Sequence, residues 1–171
     1  ANTLFKNKKY SEALALYEKA LETLSKVQET TADESKAEMG ATLHFNKAST
    51  FWKLYQESST STVSSSSSLS NADDIDEIDL DISVSDKIYE LQRCEQACEA
   101  ALDINPKHIK AFFRLINAII ALGRPQEALE RIEAFKHTVD SDREDDRERI
   151  LSELKRKCNA SLILRAESIQ T

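Results

Sequence analysis

Apolar residues recur at three- and four-residue intervals along most of the chain, and polar runs interrupt them. From Tyr10 to Val27, YSEALALYEKALETLSKV sets Leu14, Tyr17, Leu21 and Leu24 on one helical face, with Ala13 and Ala20 beside them. A second helical pattern runs from about Lys36 to Tyr55 and carries Met39, Leu43, Phe45, Phe51 and Trp52. A third spans Asp86 to Asn105 and ends at Pro106. Ile109 to Leu122 and Pro125 to Lys136 read as a helical pair hinged at Gly123–Pro125. A final helix is expected at about Arg147 to Glu167, with Ile150, Leu151, Leu154, Leu162 and Ile163 as its apolar face.

The interruptions differ in kind. Gln28 to Ser35 is a short polar break, QETTADES. Glu57 to Ser70 is a serine tract, ESSTSTVSSSSSLS, which supplies nothing to a core. Asn71 to Ile82, NADDIDEIDLDI, alternates acids with aliphatic residues. Residues 56–85 are therefore expected to be a disordered insertion inside one domain, because the helical pattern resumes at Asp86 and completes the unit left at Tyr55.

Composition narrows the class. With 2 Gly and 2 Pro in 171 residues, the chain favours helix and disfavours an all-β fold. The net charge of -7 argues against non-specific nucleic-acid binding. No apolar run reaches the ~18 residues of a membrane-spanning helix. The opening ANTLFKNKKYSEAL enters an amphipathic pattern with no cap, so the first helix is expected to begin upstream.

Three segments share one small–large pattern. YSEALALYEKAL, LQRCEQACEAAL and PQEALERIEAFK superimpose without gaps, so that Ala13, Cys94 and Ala128 occupy one slot and Ala20, Ala101 and Phe135 another. The second and third are 34 residues apart (128 minus 94). That is the period of the tetratricopeptide repeat, a helix-turn-helix unit stacked into a solenoid, and the sequence resembles that family. The resemblance implies an all-α, three-repeat solenoid. Repeat one is 1–27, lacking the first half of its leading helix. Repeat two is 36–105, split by the insertion, and repeat three is 109–136. A capping helix follows at 147–167. The lengthened linker at Gln28 to Ser35 looks like the repeat domains of large immunophilins, whose isomerase domain is not seen in these residues.

On the leading helix of the third repeat, IKAFFRL puts Lys110 and Arg114 one turn apart, where like charges repel by a few tenths of a kcal/mol, about 0.2–0.5. An anion between them would offset that cost. One subgroup of the family holds a two-carboxylate clamp for heat-shock chaperone tails ending Glu-Glu-Val-Asp. This chain looks similar slot by slot. Asn2, in ANTLFK, and Asn46, in LHFNKAS, stand where the clamp asparagines are expected, and Lys110 and Arg114 where its cationic pair is expected. The clamp's first Lys would lie one turn before Asn2. Cations give charge-assisted hydrogen bonds to a terminal carboxylate, and Asn amides donate without adding charge. Phe113, beside the pair, is a candidate contact for the peptide.

Other chemistry is sparse. Cys94 and Cys98 lie four apart, but Cys94 fills the small slot, so both are expected in the core. His44, His108 and His137 have no ligand or catalytic spacing, and no phosphate loop or nucleophile motif occurs. No metal, cofactor or catalytic residue is expected. The odd cysteine count suits a reducing compartment, with the cytoplasm expected and the nucleus as an alternative. The acidic run at Asp73 to Asp81 reads as a solvated linker or as an internal competitor for the basic groove. Ser70 and Ser141 each precede an acid by three residues, a weak phosphorylation pattern.

The sequence thus points to a monomeric co-chaperone or adaptor that binds the acidic C-terminal tails of the seventy- and ninety-kilodalton chaperones, with no nucleic acid or membrane partner in this segment. The alternatives are a repeat scaffold for another protein, or the docking module of a ubiquitin ligase or prolyl isomerase.

Overall fold

A computed structural model describes residues 1–28, 34–61, 77–138 and 144–169. Among these, seven helices occur and no strands: α1 (Asn2–Lys6), α2 (Tyr10–Gln28), α3 (Glu34–Ser61), α4 (Glu77–Ile104), α5 (Ile109–Ala121), α6 (Pro125–Thr138) and α7 (Glu144–Ile169). The turns follow local chemistry. Lys8 takes a left-handed φ of 59° between α1 and α2, a conformation that costs a non-glycine residue some strain. At the α5–α6 hinge Gly123 adopts φ 75°, which glycine tolerates without penalty. Pro125 then opens α6 at the first helical position, where its missing N–H is harmless. Past α4, Asn105 Oδ1 accepts from the Lys107 amide at 3.0 Å and closes the turn around Pro106.

Each helix packs on the next in sequence. Two further contacts skip one element, α3 on α5 and α5 on α7. Stacked helical hairpins produce this arrangement, in which alternate helices lie side by side and share a face. The three aligned small residues, Ala13, Cys94 and Ala128, are each 0% exposed, so they sit where helices approach most closely. Ala101 and Phe135 are buried too, whereas Ala20 is half-buried. The main core joins Phe51 of α3, Leu91 and Cys98 of α4, Phe112, Leu115, Ile116 and Ile119 of α5, Ile132 of α6 and Leu151 and Leu154 of α7. Phe112 and Phe135 stack with centroids 3.7 Å apart and planes 9° from parallel.

Two expectations are corrected. Ile163, expected on the apolar face of the last helix, is 59% exposed, because the buried part of α7 is its earlier turns at Leu151 and Leu154. Of the segment 56–85 expected to be disordered, 56–61 and 77–85 are helical, while 62–76 lie outside the described residues. Adding turns to a helix already anchored in a core is far easier than starting one, and both α3 and α4 are so anchored. On α3 the Ser58 and Ser59 hydroxyls donate back to the Tyr55 carbonyl, each at 2.9 Å, rather than competing for the backbone outside the helix. Glu57 accepts from the Tyr10 hydroxyl at 3.2 Å and lies 3.6 Å from Lys8, tying this extension to the start of α2. Ser70 and Ser141, and the acidic run from Asp73 to Asp76, also fall outside the described residues.

A charged lattice locks α4 to α6. Arg124 grips Glu95 with both guanidinium nitrogens at 2.9 Å and also bonds Glu127. Arg131 reaches Glu127 at 3.1 Å and Glu99 at 2.8 Å. Burial pushes the Glu127 carboxyl up, but the Arg124 guanidinium outweighs it and holds the group below its usual range.

Glu90 on α4 is different: its Oε2 is buried without a hydrogen-bond partner. Burial raises its pKa, Arg93 opposes the rise and Asp86 adds to it. A carboxyl with a raised folded pKa supports stability below its unfolded value of about 4.3, and that stability is lost as pH climbs through the folded value. Glu90→Gln is therefore expected to stabilise the protein by on the order of 0.5 kcal/mol at pH 7 and by almost nothing at pH 4. Urea unfolding at the two pH values checks this, and an equal effect at both would refute it.

Candidate functional site

The residues singled out in the sequence fall on three helices, and their surroundings differ. Lys110 stands exposed in the first turn of α5. His108 caps that turn: its Nδ1 accepts from the Ala111 amide at 3.1 Å, and its ring lies 5.2 Å from that of Phe45 on α3. Acceptance at Nδ1 requires the ring to be neutral there. Burial, with Lys110 nearby, lowers the His108 pKa and keeps it so, against a smaller upward pull from its own backbone and Glu38.

Arg114 follows one turn later and is half-buried. Its guanidinium lies 5.2 Å from the Trp52 ring centroid, a cation–π contact that joins α5 to α3. Its Nε is buried and has no hydrogen-bond partner. Burial lowers the Arg114 pKa, opposed by the neighbouring Cys94 and Cys98 sulfurs. Among the described residues, neither Lys110 nor Arg114 has a carboxylate partner. Cations elsewhere do: Lys47 lies 3.1 Å and Arg93 3.8 Å from Glu18, and Arg93 also stacks on Phe51. A half-buried guanidinium without a counter-ion costs solvation energy that a bound carboxylate would restore.

Asn46 is half-buried on α3, whose backbone carbonyl there accepts from Thr50 Oγ1 at 2.8 Å. The packing of α3 on α5 brings the helix of Asn46 beside the helix of Lys110 and Arg114. Asn2 sits exposed on α1, and the Tyr17 hydroxyl of α2 donates to its Oδ1 at 2.6 Å. No hydrogen bond links Asn2 or Asn46 to the cationic pair among the described residues. Phe113 is half-buried against the core, with the Lys157 ammonium 5.2 Å from its ring centroid.

Three residues that contact the candidate site residues or their helix stripe were not singled out from the sequence. Trp52, read as an apolar position of the second helical pattern, packs against the core and also underlies Arg114. Tyr17 orients Asn2. Lys157 arrives on α7, 40 positions after Asn117, whose Oδ1 it meets at 3.5 Å. The spacing Lys110, Arg114, Asn117 (i, i+4, i+7) could have flagged Asn117 as a member of the stripe; nothing local flags Lys157.

Cys94 and Cys98 are 0% exposed, and a hydrogen bond to Cys94, with burial, pushes the Cys98 thiol well up. They remain thiols packed in the core. Among the described residues no three His, Cys, Asp or Glu side chains gather as metal ligands, and no helix is long and apolar enough to cross a membrane.

No family model and no curated protein matches the chain. Among solved structures it is similar to the Hsp90 co-chaperone Cns1 from Saccharomyces cerevisiae, with a TM-score of 0.57 and 23% identity over 99% of this chain and 40% of that one. The chain thus spans about two fifths of that protein's length. At this identity the likeness speaks for the fold: this chain has the all-helical, tetratricopeptide-like architecture found in that co-chaperone.

Proposed function

We propose that this chain is an adaptor domain that captures the free C-terminus of an acidic protein tail, with Glu-Glu-Val-Asp tails of the seventy- and ninety-kilodalton chaperones as its ligands. The observation that carries the reading is Arg114, half-buried, unpartnered at Nε and one turn from an exposed, unpaired Lys110. A terminal residue with both main-chain and side-chain carboxylates suits two cations on one helix face. Asn46 and Asn2 add neutral donors, and Phe113 contributes apolar surface. The likeness to a co-chaperone fold supports the same reading, in which the helices form three repeats and a capping helix. Its setting is the cytoplasm, it acts as a monomer, and its role is binding rather than catalysis.

Calorimetric titration of acetylated Met-Glu-Glu-Val-Asp is the test. Binding is expected in the micromolar range, because a short flexible peptide is ordered on capture, roughly 0.5–1.5 kcal/mol per immobilised side chain. The peptide with an amidated C-terminus, and Lys110→Ala with the free peptide, should each lose about tenfold or more. Equal binding of free and amidated peptides would instead favour a scaffold that reads an internal motif.

A further inference from the structure

Lys110, Arg114 and Asn117 follow one another at i, i+4 and i+7 and form one stripe along α5. The far end of that stripe is completed by another helix. Lys157 of α7 places its Nζ 3.5 Å from Asn117 Oδ1 and 5.2 Å from the Phe113 ring centroid. Asn117 is itself fixed, since its Nδ2 donates to the Phe113 carbonyl at 2.6 Å and so turns Oδ1 towards the lysine. We infer that Lys157, with Asn117 and Phe113 as its seat, forms a second anionic subsite that reads an acidic side chain upstream of the ligand's terminal residue.

The distances suit this. Seven helical residues, Lys110 to Asn117, rise about 10 Å. Extended peptide covers about 3.3 Å per residue, so about three residues span the stripe. A ligand with its terminal carboxylates at Lys110 and Arg114 brings an acid two or three positions upstream to Lys157. The lysine is available for it: its own ion pair is with Glu153, one turn earlier at 3.2 Å, and the two side chains are 36% and 48% exposed. Such an exposed pair one turn apart is weakly held, so a ligand carboxylate can displace it. The neighbouring cation Lys155 is engaged elsewhere, with Glu133.

The subsite rests on the terminal-carboxylate reading, and a four-way titration separates the two. Wild type and Lys157→Ala are each titrated with acetyl-Met-Glu-Glu-Val-Asp and acetyl-Met-Gln-Gln-Val-Asp, both with free C-termini. Lys157→Ala is expected to weaken the acidic peptide about threefold and to leave the neutral one unchanged, while Lys157→Arg restores the preference. Glu153→Gln, which removes the competing carboxylate, should tighten the acidic peptide. An equal loss for both peptides, or no loss for either, overturns the subsite while wild-type binding that needs a free terminus keeps the clamp. A wild type that binds neither peptide overturns both.

Discussion

Arg114→Met is expected to remove tail capture while leaving the protein about as stable as before. The guanidinium is half-buried, its Nε is unsatisfied, and burial already lowers its pKa. Met keeps much of the volume and its contact with Trp52, and it takes away a desolvated charge that has no counter-ion. The lost cation–π contact is worth about 0.5–1 kcal/mol, and relief of the uncompensated charge offsets it, so unfolding free energy should move by less than about 1 kcal/mol. Binding should fall by about 1.5–3 kcal/mol, on the order of tenfold to a hundredfold. Urea unfolding and peptide titration on the same variant measure both. A destabilisation of about 3 kcal/mol would make Arg114 a structural residue and remove the main support for the clamp.

Leu154→Ala carries the largest expected cost in stability. Leu154 is 0% exposed and belongs to the core shared by α5, α6 and α7. Emptying such a site costs about 2–5 kcal/mol, the lost transfer energy plus the cavity that rigid neighbours leave. Ile163, on the same helix, is 59% exposed, and Ile163→Ser should change stability by less than about 0.5 kcal/mol. Equal small effects at both sites would mean that α7 is only loosely docked. Because α7 also delivers Lys157, loosening it through Leu154→Ala should weaken acidic peptides as well.

The features visible in the sequence are those whose cause is local. Gly123 and Pro125 declare the α5–α6 hinge, and Phe112, Leu115, Ile116 and Ile119 give α5 its buried face at helical spacing. Ala13, Cys94 and Ala128 reveal close helix approach because small side chains recur in one slot. The helical turns at 56–61 and 77–85 were hidden because their own residues are poor evidence of helix, and anchorage comes from the core further along α3 and α4. At the candidate site, Lys110 and Arg114 stand out as like charges one turn apart. The burial of Arg114 and the arrival of Lys157 depend on contacts across helices, which spacing along one helix does not encode.

The Tyr17 hydroxyl has an effect on Asn2 beyond holding it. An amide side chain can rotate to present either its oxygen or its NH2 group. With Oδ1 taken by Tyr17 at 2.6 Å, the NH2 end is the one left to face solvent. Tyr17 is 3% exposed, and burial raises its pKa, so it stays a donor across the neutral range. A buried phenol thus sets the orientation of an exposed amide in advance: with one lone pair of Oδ1 already engaged, the NH2 group is the end left free to donate to an anion arriving at α1.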